Sequence, residues 1–462
     1  MPELPEVETI KTILNGIVRG KTIADVHVFR AKNILSGAPA FVSSLKGETF
    51  LSVSRRGKYL LFHLTHDKVV ISHLRMEGKY SEGKVGETPD KFDLVVYDFT
   101  DGTTLRYNDV RKFGVLELTD EASVFKTKAL SKLGPEPWDL TEEDFYKGLQ
   151  KRKNTKIKEA LLDQTLIAGL GNIYDDETLY AAKVNPKRPA GTIRKEEAAS
   201  LLKEARRILE KAIHNGGSTI KSYHPQEGVN GLMQNELLSY GQENKPCSRC
   251  GFPLRKIFIG GRGTVYCPKC QPYYGHPFIV GVTGPIASGK STVSDYLVQK
   301  GYEKLDADGI VAELYQKPAL QKRIAKLLGW QVLTNEGLDR AQMLRAIAEN
   351  PKLKKRLEKV IHPLVFKEIE KKIRSMKGGK LVLDVPLLLD SPLEEECDLI
   401  IGVISSEKVQ IARLVERGKD PEKSLAMNRH YPKGKLRKQA GILLATDGKK
   451  EDLYRALDPY DF

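Results

Sequence analysis

Three groups of residues in this 462-residue chain have spacings that particular chemistries require. Cys247, Cys250, Cys267 and Cys270 form C-x2-C-x16-C-x2-C. Two such turns can bring four thiolates tetrahedrally around Zn²⁺. Two disulfides are the alternative, which an intracellular chain disfavours. Gly284, Gly289, Lys290 and Ser291 form G-x-x-x-x-G-K-S between an apolar strand and a helix. In that context backbone N–H groups surround a β-phosphate, the lysine neutralises β and γ oxygens, and the serine reaches Mg²⁺. The third group is Pro2 followed by Glu3. Once Met1 is removed, Pro2 is a secondary amine able to attack an electrophilic sugar carbon and give an iminium. Glu3 and Glu6 are the nearest carboxyls to move protons. The plainer alternative is that Pro2 only directs Met1 removal and the acids decorate a first helical turn.

Further residues bear on that third group. Lys58, in "SRRGKYLLF", follows a glycine turn and leads a strand, a position from which an ammonium can project into a cleft. "HLRMEGK" puts Met76 on a tip between a strand and a turn, and "RYNDVRKFGV" puts Arg111 and Phe113 on another. A cation, an aromatic ring and a flexible apolar wedge are what fills a base stack after a nucleotide is extruded. Against this, Met76 and Phe113 could be core residues, and Arg111 could pair with Asp109.

The elements that must carry these residues change along the chain. The length calls for two to four domains. With 40% apolar and 29% charged residues the chain is that of a folded globular protein. No apolar run approaches the ~20 residues that span a bilayer, and the acidic start lacks the features of a secretory signal, so a cytoplasmic protein is expected. Residues 1–130 read as strands behind a first helix, "PEVETIKTILNGI", and residues from about 140 to 225 turn to helical period. The cysteine segment follows, then a short connector, "QPYYGHP". From Phe278 strands and helices alternate, which predicts a doubly wound parallel sheet. Residues 151–276 hold 21 Lys+Arg against 12 Asp+Glu, while residues 1–150 hold 21 against 22 and residues 277–462 hold 33 against 26. The middle segment is thus the best placed to meet a polyanion. Cys397 reads as a buried packing residue at the edge of an apolar strand.

Jointly, "MPELPEVE", "RRGKYL", "NDVRKFG", "LGPEP", "GLGNIYDDE", "GGSTI" and "GGRGTVYCPKCQ" resemble the bacterial formamidopyrimidine-DNA glycosylase family across residues 1–271. The resemblance implies a β-sandwich catalytic domain (1–130), a helix–two-turn–helix domain (131–240) and a zinc finger (241–271), with a linker at 272–277. It implies excision of oxidised purines, 8-oxoguanine and formamidopyrimidines, from double-stranded DNA, followed by strand cleavage through β,δ-elimination. Pro2 would be the nucleophile and Glu3 the acid. Lys58 would assist elimination, and Met76, Arg111 and Phe113 would occupy the gap. Lys91, Lys153 and Asn172 would meet DNA, and Arg262 would clamp phosphate and aid δ-elimination beside one structural Zn²⁺. In place of the family's "HDH" stretch stand Lys91, Phe92 and Asp93, and Asn185 stands where histidine is frequent. The opening and the 217–240 stretch fit the purine-lesion branch.

"KLDADGI", "LDRAQMLRAI", "IHPLV" and "LVLDVPLLLD" resemble dephospho-coenzyme A kinase over residues 278–462. The resemblance implies ATP- and Mg²⁺-dependent phosphorylation of the 3′-hydroxyl of dephospho-coenzyme A. Asp308 would accept the ribose proton beside Asp306, with Arg340 and His362 toward the acceptor. Gly284, Gly289, Lys290, Ser291 and Thr292 would hold nucleotide, and Ser291 and Asp384 would support Mg²⁺. Arg413 or Arg417 would be the lid arginine. The tail departs from the family: Gly441 and Thr446 replace an Asp and an Asn, and Arg429 is the sole guanidinium in "KSLAMNRHYP". The expected whole is a multidomain α+β then α/β protein, monomeric, without a membrane partner, joining a lesion glycosylase to a small-molecule kinase. The alternatives are a kinase for another small nucleotide or nucleoside, and a non-catalytic lesion-binding module with an ATP-binding regulatory half.

Overall fold

Helix α1 (Leu4–Val18) buries Leu4, Val7, Ile10, Leu14 and Val18, which recur at the spacing of one helical face. It opens the computed structural model, which describes residues 2–218, 231–385, 388–428 and 431–460. Strands β1 (Ile23–Val28), β2 (Phe50–Arg56), β3 (Tyr59–Leu64) and β4 (Lys68–His73) follow, with helix α2 (Ala38–Leu45) between the first two. Strands β5 (Lys79–Lys84), β6 (Asp93–Phe99), β7 (Thr103–Asn108) and β8 (Val115–Asp120) complete two antiparallel sheets, β1-β6-β7-β5 and β2-β3-β4-β8. Phe50 of one sheet meets Tyr97 and Phe99 of the other edge-on, with centroids 6.0 and 5.9 Å apart. The expected β-sandwich is therefore present, its core made by apolar residues that face inward from both sheets.

The helical period resolves into α3 (Glu142–Lys151), α4 (Ile157–Leu162), α5 (Asn172–Ala181) and α6 (Lys195–His214) around their own apolar cluster. Hairpin strands β9 (Arg255–Ile259) and β10 (Arg262–Tyr266) come next in the chain. Beyond them, β11 (Phe278–Thr283), α7 (Lys290–Gln299), β12 (Glu303–Asp306), α8 (Ala307–Tyr315) and α9 (Pro318–Leu328) begin the alternating region. A small antiparallel pair, β13 (Leu333–Thr334) and β14 (Gly337–Leu338), precedes α10 (Arg340–Glu349), α11 (Pro351–Ser375) and β15 (Lys380–Asp384). The chain then forms α12 (Leu393–Glu396), β16 (Leu399–Ile404), α13 (Glu407–Glu416), α14 (Pro421–Asn428), α15 (Lys433–Gln439), β17 (Ile442–Ala445) and α16 (Lys450–Leu457). The large sheet runs β12-β15-β11-β16-β17, and every pairing in it is parallel. Its first strand lies at the centre, so the loop after β11 emerges among the carboxyl ends of its neighbours, where ligands bind in open α/β sheets.

The chain divides into two compact units, one of Met1–Gln242 with Ile259–Tyr266, the other of Glu243–Phe258 with Cys267–Phe462. The division runs through the cysteine hairpin itself.

Candidate active sites and metal centre

In the first unit the geometry is built on a carboxylate at a helix N-terminus. Glu3, 2% exposed, accepts backbone N–H groups from Gly171 (2.8 Å), Ile173 (2.9 Å) and Tyr174 (3.4 Å) at the start of α5. The glycines of "GLGNIY" permit this: a Cβ on Gly171 would lie 2.3 Å from Glu3 Cδ, and one on Gly169 would lie 2.3 Å from Leu4 Cδ1. Glu6 holds the turn from the other side. Its Oε2 accepts the Glu3 N–H at 2.9 Å, and its Oε1 takes the Tyr174 hydroxyl at 2.5 Å and the Ser218 N–H at 2.7 Å. Burial lifts the Glu3 carboxyl above the usual range, Lys58 and the helix N–H groups oppose it, and neighbouring Glu6 adds to the rise.

Lys58 projects from β3's leading turn, which Gly57 makes with φ 57°. Its Nζ donates to Leu170 O at 2.6 Å. Burial lowers its basicity, with Glu3, Glu6 and Asp175 opposing. Glu3, Lys58, Met76, Asn172 and Arg262 all line one cavity of about 620 Å³, joined by His73, Arg75 and Gln164. Pro2 is buried at the entry to α1. The cavity combines a protonatable acid, an amine of lowered basicity and an exposed guanidinium, a set suited to proton transfer beside an anionic sugar–phosphate.

The two tips lie at the same end of one sheet, because β4 and β8 pair His73 with Val115. Phe113 is 53% exposed, so it is not a core residue, and Met76 is half-buried on the cavity wall. Arg111 sits 4.9 Å from the Phe113 ring. Asp109 does not pair with that guanidinium; its buried carboxylate accepts the backbone N–H groups of Arg111, Phe113 and Gly114 and so shapes the tip. Arg111 and Phe113 stand outside the cavity lining, as do Lys91 and Lys153, both exposed. Lys91 lies 4.8 Å from the Phe92 ring. Asn185 is buried.

Asn172 does something that sequence reasoning did not assign. Its Nδ2 donates to Gly263 O at 2.9 Å, tying the start of α5 to β10, while its Oδ1 is buried without a partner. Beneath it Lys158 is fully buried, with Nζ 2.6 Å from Asp176 Oδ1 and 3.4 Å from Asp175 Oδ2. Asp176 Oδ2 also accepts the Val265 N–H at 3.0 Å. Burial pushes Asp176 up to about 6 and Asp175 well above its usual value. Lys158 opposes both shifts and lies nearest to Asp176, whose Oδ1 it meets at 2.6 Å. Two signals could have found this network: three consecutive acids inside a helix, and a lysine on the apolar face of α4 beside Ile157 and Leu161.

In the second unit the four cysteine ligand atoms lie within 4.8 Å of one another. Cys247 Sγ is 3.9 Å from Cys270 Sγ, and Cys250 Sγ is 3.6 Å from Cys267 Sγ. A tetrahedron with Zn–S bonds of ~2.3 Å has edges of ~3.8 Å, so the donors fit zinc and no disulfide joins them. Burial pushes the Cys270 thiol up to about 11, so a bound cation is what would hold it as thiolate.

The phosphate loop is formed as the motif requires. Gly289 takes φ 96° at the N-cap of α7, and a Cβ on Gly284 would lie 2.1 Å from Val403 O. Lys290 Nζ donates to Gly284 O (3.0 Å) and Pro285 O (2.9 Å), and Ser291 is exposed at the helix start with Thr292 next to it. Burial lowers the Lys290 ammonium, Asp384 raises it and Arg417 lowers it further, which puts Arg417 electrostatically beside the loop. Asp384 ends β15 and accepts from Ser294 Oγ at 3.1 Å. Asp306 pairs in register with Asp384 and caps α8, accepting the N–H groups of Asp308 and Gly309, each at 3.2 Å; the Asp308 side chain is exposed. The two lid candidates separate. Arg413 donates to Ala287 O (3.1 Å), Thr446 Oγ1 (3.0 Å) and Thr446 O (2.6 Å), which commits it to bracing the loop. Arg417 is exposed, as are Arg340 on α10 and His362 on α11, and none of these three lines the Asp384 side of the loop through a described hydrogen bond. Arg429 lies outside the described residues. Cys397 is fully buried, as a packing residue should be.

Comparison with known proteins follows this division. Residues 1–116 match the formamidopyrimidine-DNA glycosylase N-terminal domain, residues 133–224 its H2TH domain, and residues 244–272 the zinc finger found in FPG and IleRS. Residues 278–451 match the dephospho-CoA kinase model. The formamidopyrimidine-DNA glycosylase of Ligilactobacillus salivarius is 47% identical over 273 residues, 59% of this chain and 99% of that protein. That of an Exiguobacterium species is 48% identical over 274 residues, again 59% and 99%. A Lactococcus lactis Fpg bound to DNA containing an abasic site superposes with TM-score 0.55 at 41% identity, covering 59% of this chain and all of that one. The chain thus belongs to the formamidopyrimidine-DNA glycosylase family over its first 59% and continues into a dephospho-CoA kinase domain.

Proposed function

We propose that the chain is a bifunctional enzyme: a glycosylase and abasic-site lyase acting on oxidised purines in double-stranded DNA, joined to an ATP-dependent dephospho-coenzyme A kinase. The observation that carries the first activity is the cavity shared by Glu3, Lys58 and Arg262; Pro2, buried and outside the lining, directly precedes Glu3. With Met1 removed, the Pro2 amine attacks C1′ of the lesion nucleotide and the base departs as its glycosidic bond breaks; Glu3, whose proton affinity burial raises, supplies a proton to the sugar ring oxygen as the C1′–O4′ bond opens to the iminium. Lys58, of lowered basicity, takes part in β-elimination, and Arg262 meets the phosphate and favours δ-elimination. Met76, Arg111 and Phe113 enter the vacated stack, and Lys91, Lys153 and the α5 N-terminus around Asn172 contact backbone phosphate. A zinc ion held by four thiolates has no open position, so its part is structural.

The kinase reading rests on the formed phosphate loop with Asp306 and Asp384 in adjacent register. Lys290 and Arg417 would neutralise the transferring phosphoryl, and Ser291 and Asp384 would hold a Mg²⁺, which would supply further charge neutralisation there. Asp308 would accept the ribose proton, with Arg340 and His362 toward the acceptor. Thr446, which stands at the phosphate loop where the family resemblance implies Asn, is the observation that favours a different small nucleotide as acceptor.

Borohydride trapping on DNA bearing 8-oxoguanine opposite cytosine tests the first activity: a covalent adduct is expected with the native chain and none with Pro2→Gly. An equal yield of adduct from Pro2→Gly would refute the nucleophile. Incubation with ATP and dephospho-coenzyme A should yield a 3′-phosphorylated product that Lys290→Ala abolishes. Turnover of another nucleoside in its place would establish the second acceptor.

A further inference from the structure

One surface in the second unit belongs to neither activity: the seat of the cysteine turn on the parallel sheet, both sides of which lie within that unit. Arg255 is 5% exposed, and its guanidinium donates to Glu394 O at 2.9 Å and Cys397 O at 3.3 Å, the carbonyls at the end of α12. The Glu394 carboxylate lies 3.7 Å from the same Nη2. A buried guanidinium satisfied by helix-end carbonyls is a docked group, since leaving it unpaired would be costly. Phe252, 3% exposed, meets Phe278 edge-on at 5.9 Å. Asn244 Nδ2 donates to Lys438 O at 2.7 Å. Phe278, Leu399 and Ile442 begin β11, β16 and β17, so these contacts cover the amino edge of three neighbouring strands, opposite the phosphate loop.

Gly441 gives the second, independent observation. A Cβ at this position would lie 2.9 Å from Leu399 Cδ1 and 3.3 Å from Pro253 Cβ, a residue of the cysteine turn. The one departure of the tail that removes a side chain altogether thus occurs where the turn approaches the sheet.

We infer that the zinc turn is a structural part of the kinase domain, holding Phe252, Pro253 and Arg255 against the sheet, so that metal binding stabilises the kinase edge. By linkage, anything that weakens the seat also weakens metal retention. The inference rests on zinc occupying the four cysteines and is independent of the kinase's acceptor.

Hydrogen exchange read by mass spectrometry on the full-length chain tests it, with metal content measured alongside. Removing zinc with a chelator should speed exchange about tenfold or more in peptides covering 393–404 and 436–445, and leave those of α9 and α11 unchanged. Arg255→Met should speed exchange in the same peptides, with zinc still bound. Gly441→Asp should lose zinc to a chelator several-fold faster than the native chain. If chelation leaves the 393–404 and 436–445 peptides unchanged in a chain shown to have lost its zinc, the inference is overturned. It is equally overturned if Arg255→Met and Gly441→Asp both behave as the native chain.

Discussion

Glu3 and Lys58 are both taken out of water in one cavity, and burial shifts them in opposite directions: the carboxyl up, the ammonium down. Each shift favours the neutral form of its group, the direction that the proposed proton donation by Glu3 and proton acceptance by Lys58 would require. Glu3→Gln should therefore lower single-turnover base release by ~10²-fold or more; an unchanged rate would remove Glu3 from the chemistry. His73, beside them, gives a stability prediction. Burial, with Arg75 and Lys58 adding, holds it down to about 3, and its Nδ1 accepts the Arg75 N–H at 3.0 Å. Its folded pKa lies below the unfolded ~6.5, so its contribution is complete above ~6.5 and is lost as pH falls toward about 3. Chemical denaturation between pH 7 and pH 4 should show the first unit losing stability, less steeply in His73→Gln.

At the scale of elements, α5 is where one short segment serves several parts of the site. Its first N–H groups hold Glu3, its Asn172 side chain holds Gly263, and its Asp176 holds both Lys158 and the Val265 N–H. The helix packs its acids inward, which a simple amphipathic reading of "IYDDETLYAA" cannot show, because burial of Asp175 and Asp176 depends on a lysine supplied by α4. Lys158→Met removes the cation that pairs with both carboxyls and leaves them buried. A loss of about 3–5 kcal/mol is expected from breaking a buried pair, measurable by urea titration. Lys158→Met,Asp176→Asn should recover part of it, because the uncompensated charge is gone. The sandwich strands, by contrast, were legible in advance, since alternation and turn residues declare a half-buried strand locally.

At the scale of the molecule, two activities on one chain should be separable by single substitutions. Pro2→Gly should abolish adduct formation and leave kinase turnover intact, and Lys290→Ala should do the reverse. An N-terminal extension that survives processing should behave as Pro2→Gly does, because the proline nitrogen would remain an amide. DNA affinity should fall steeply with added salt, as residues 151–276 hold 21 Lys+Arg against 12 Asp+Glu; the slope of log Kd against log salt measures it. No described helix is long and apolar enough to cross a membrane.

The sequence by itself pointed to the chemistry that spacing can carry: four cysteines for a metal and a glycine loop with Lys290 and Ser291 for phosphate, while the proline–glutamate opening gained its imine reading only with the family resemblance. These are local patterns, and a local pattern survives in one dimension. Tertiary structure alone decided which residues share a cavity, that Arg413 braces the phosphate loop through hydrogen bonds while Arg417 acts on Lys290 only electrostatically, and that Asn172 ties a helix to a hairpin. It also brought Gly441 against Leu399 and Pro253. Each of these depends on segments far apart in the chain meeting within hydrogen-bond or van der Waals distance, and burial then sets the charge state of what is brought together.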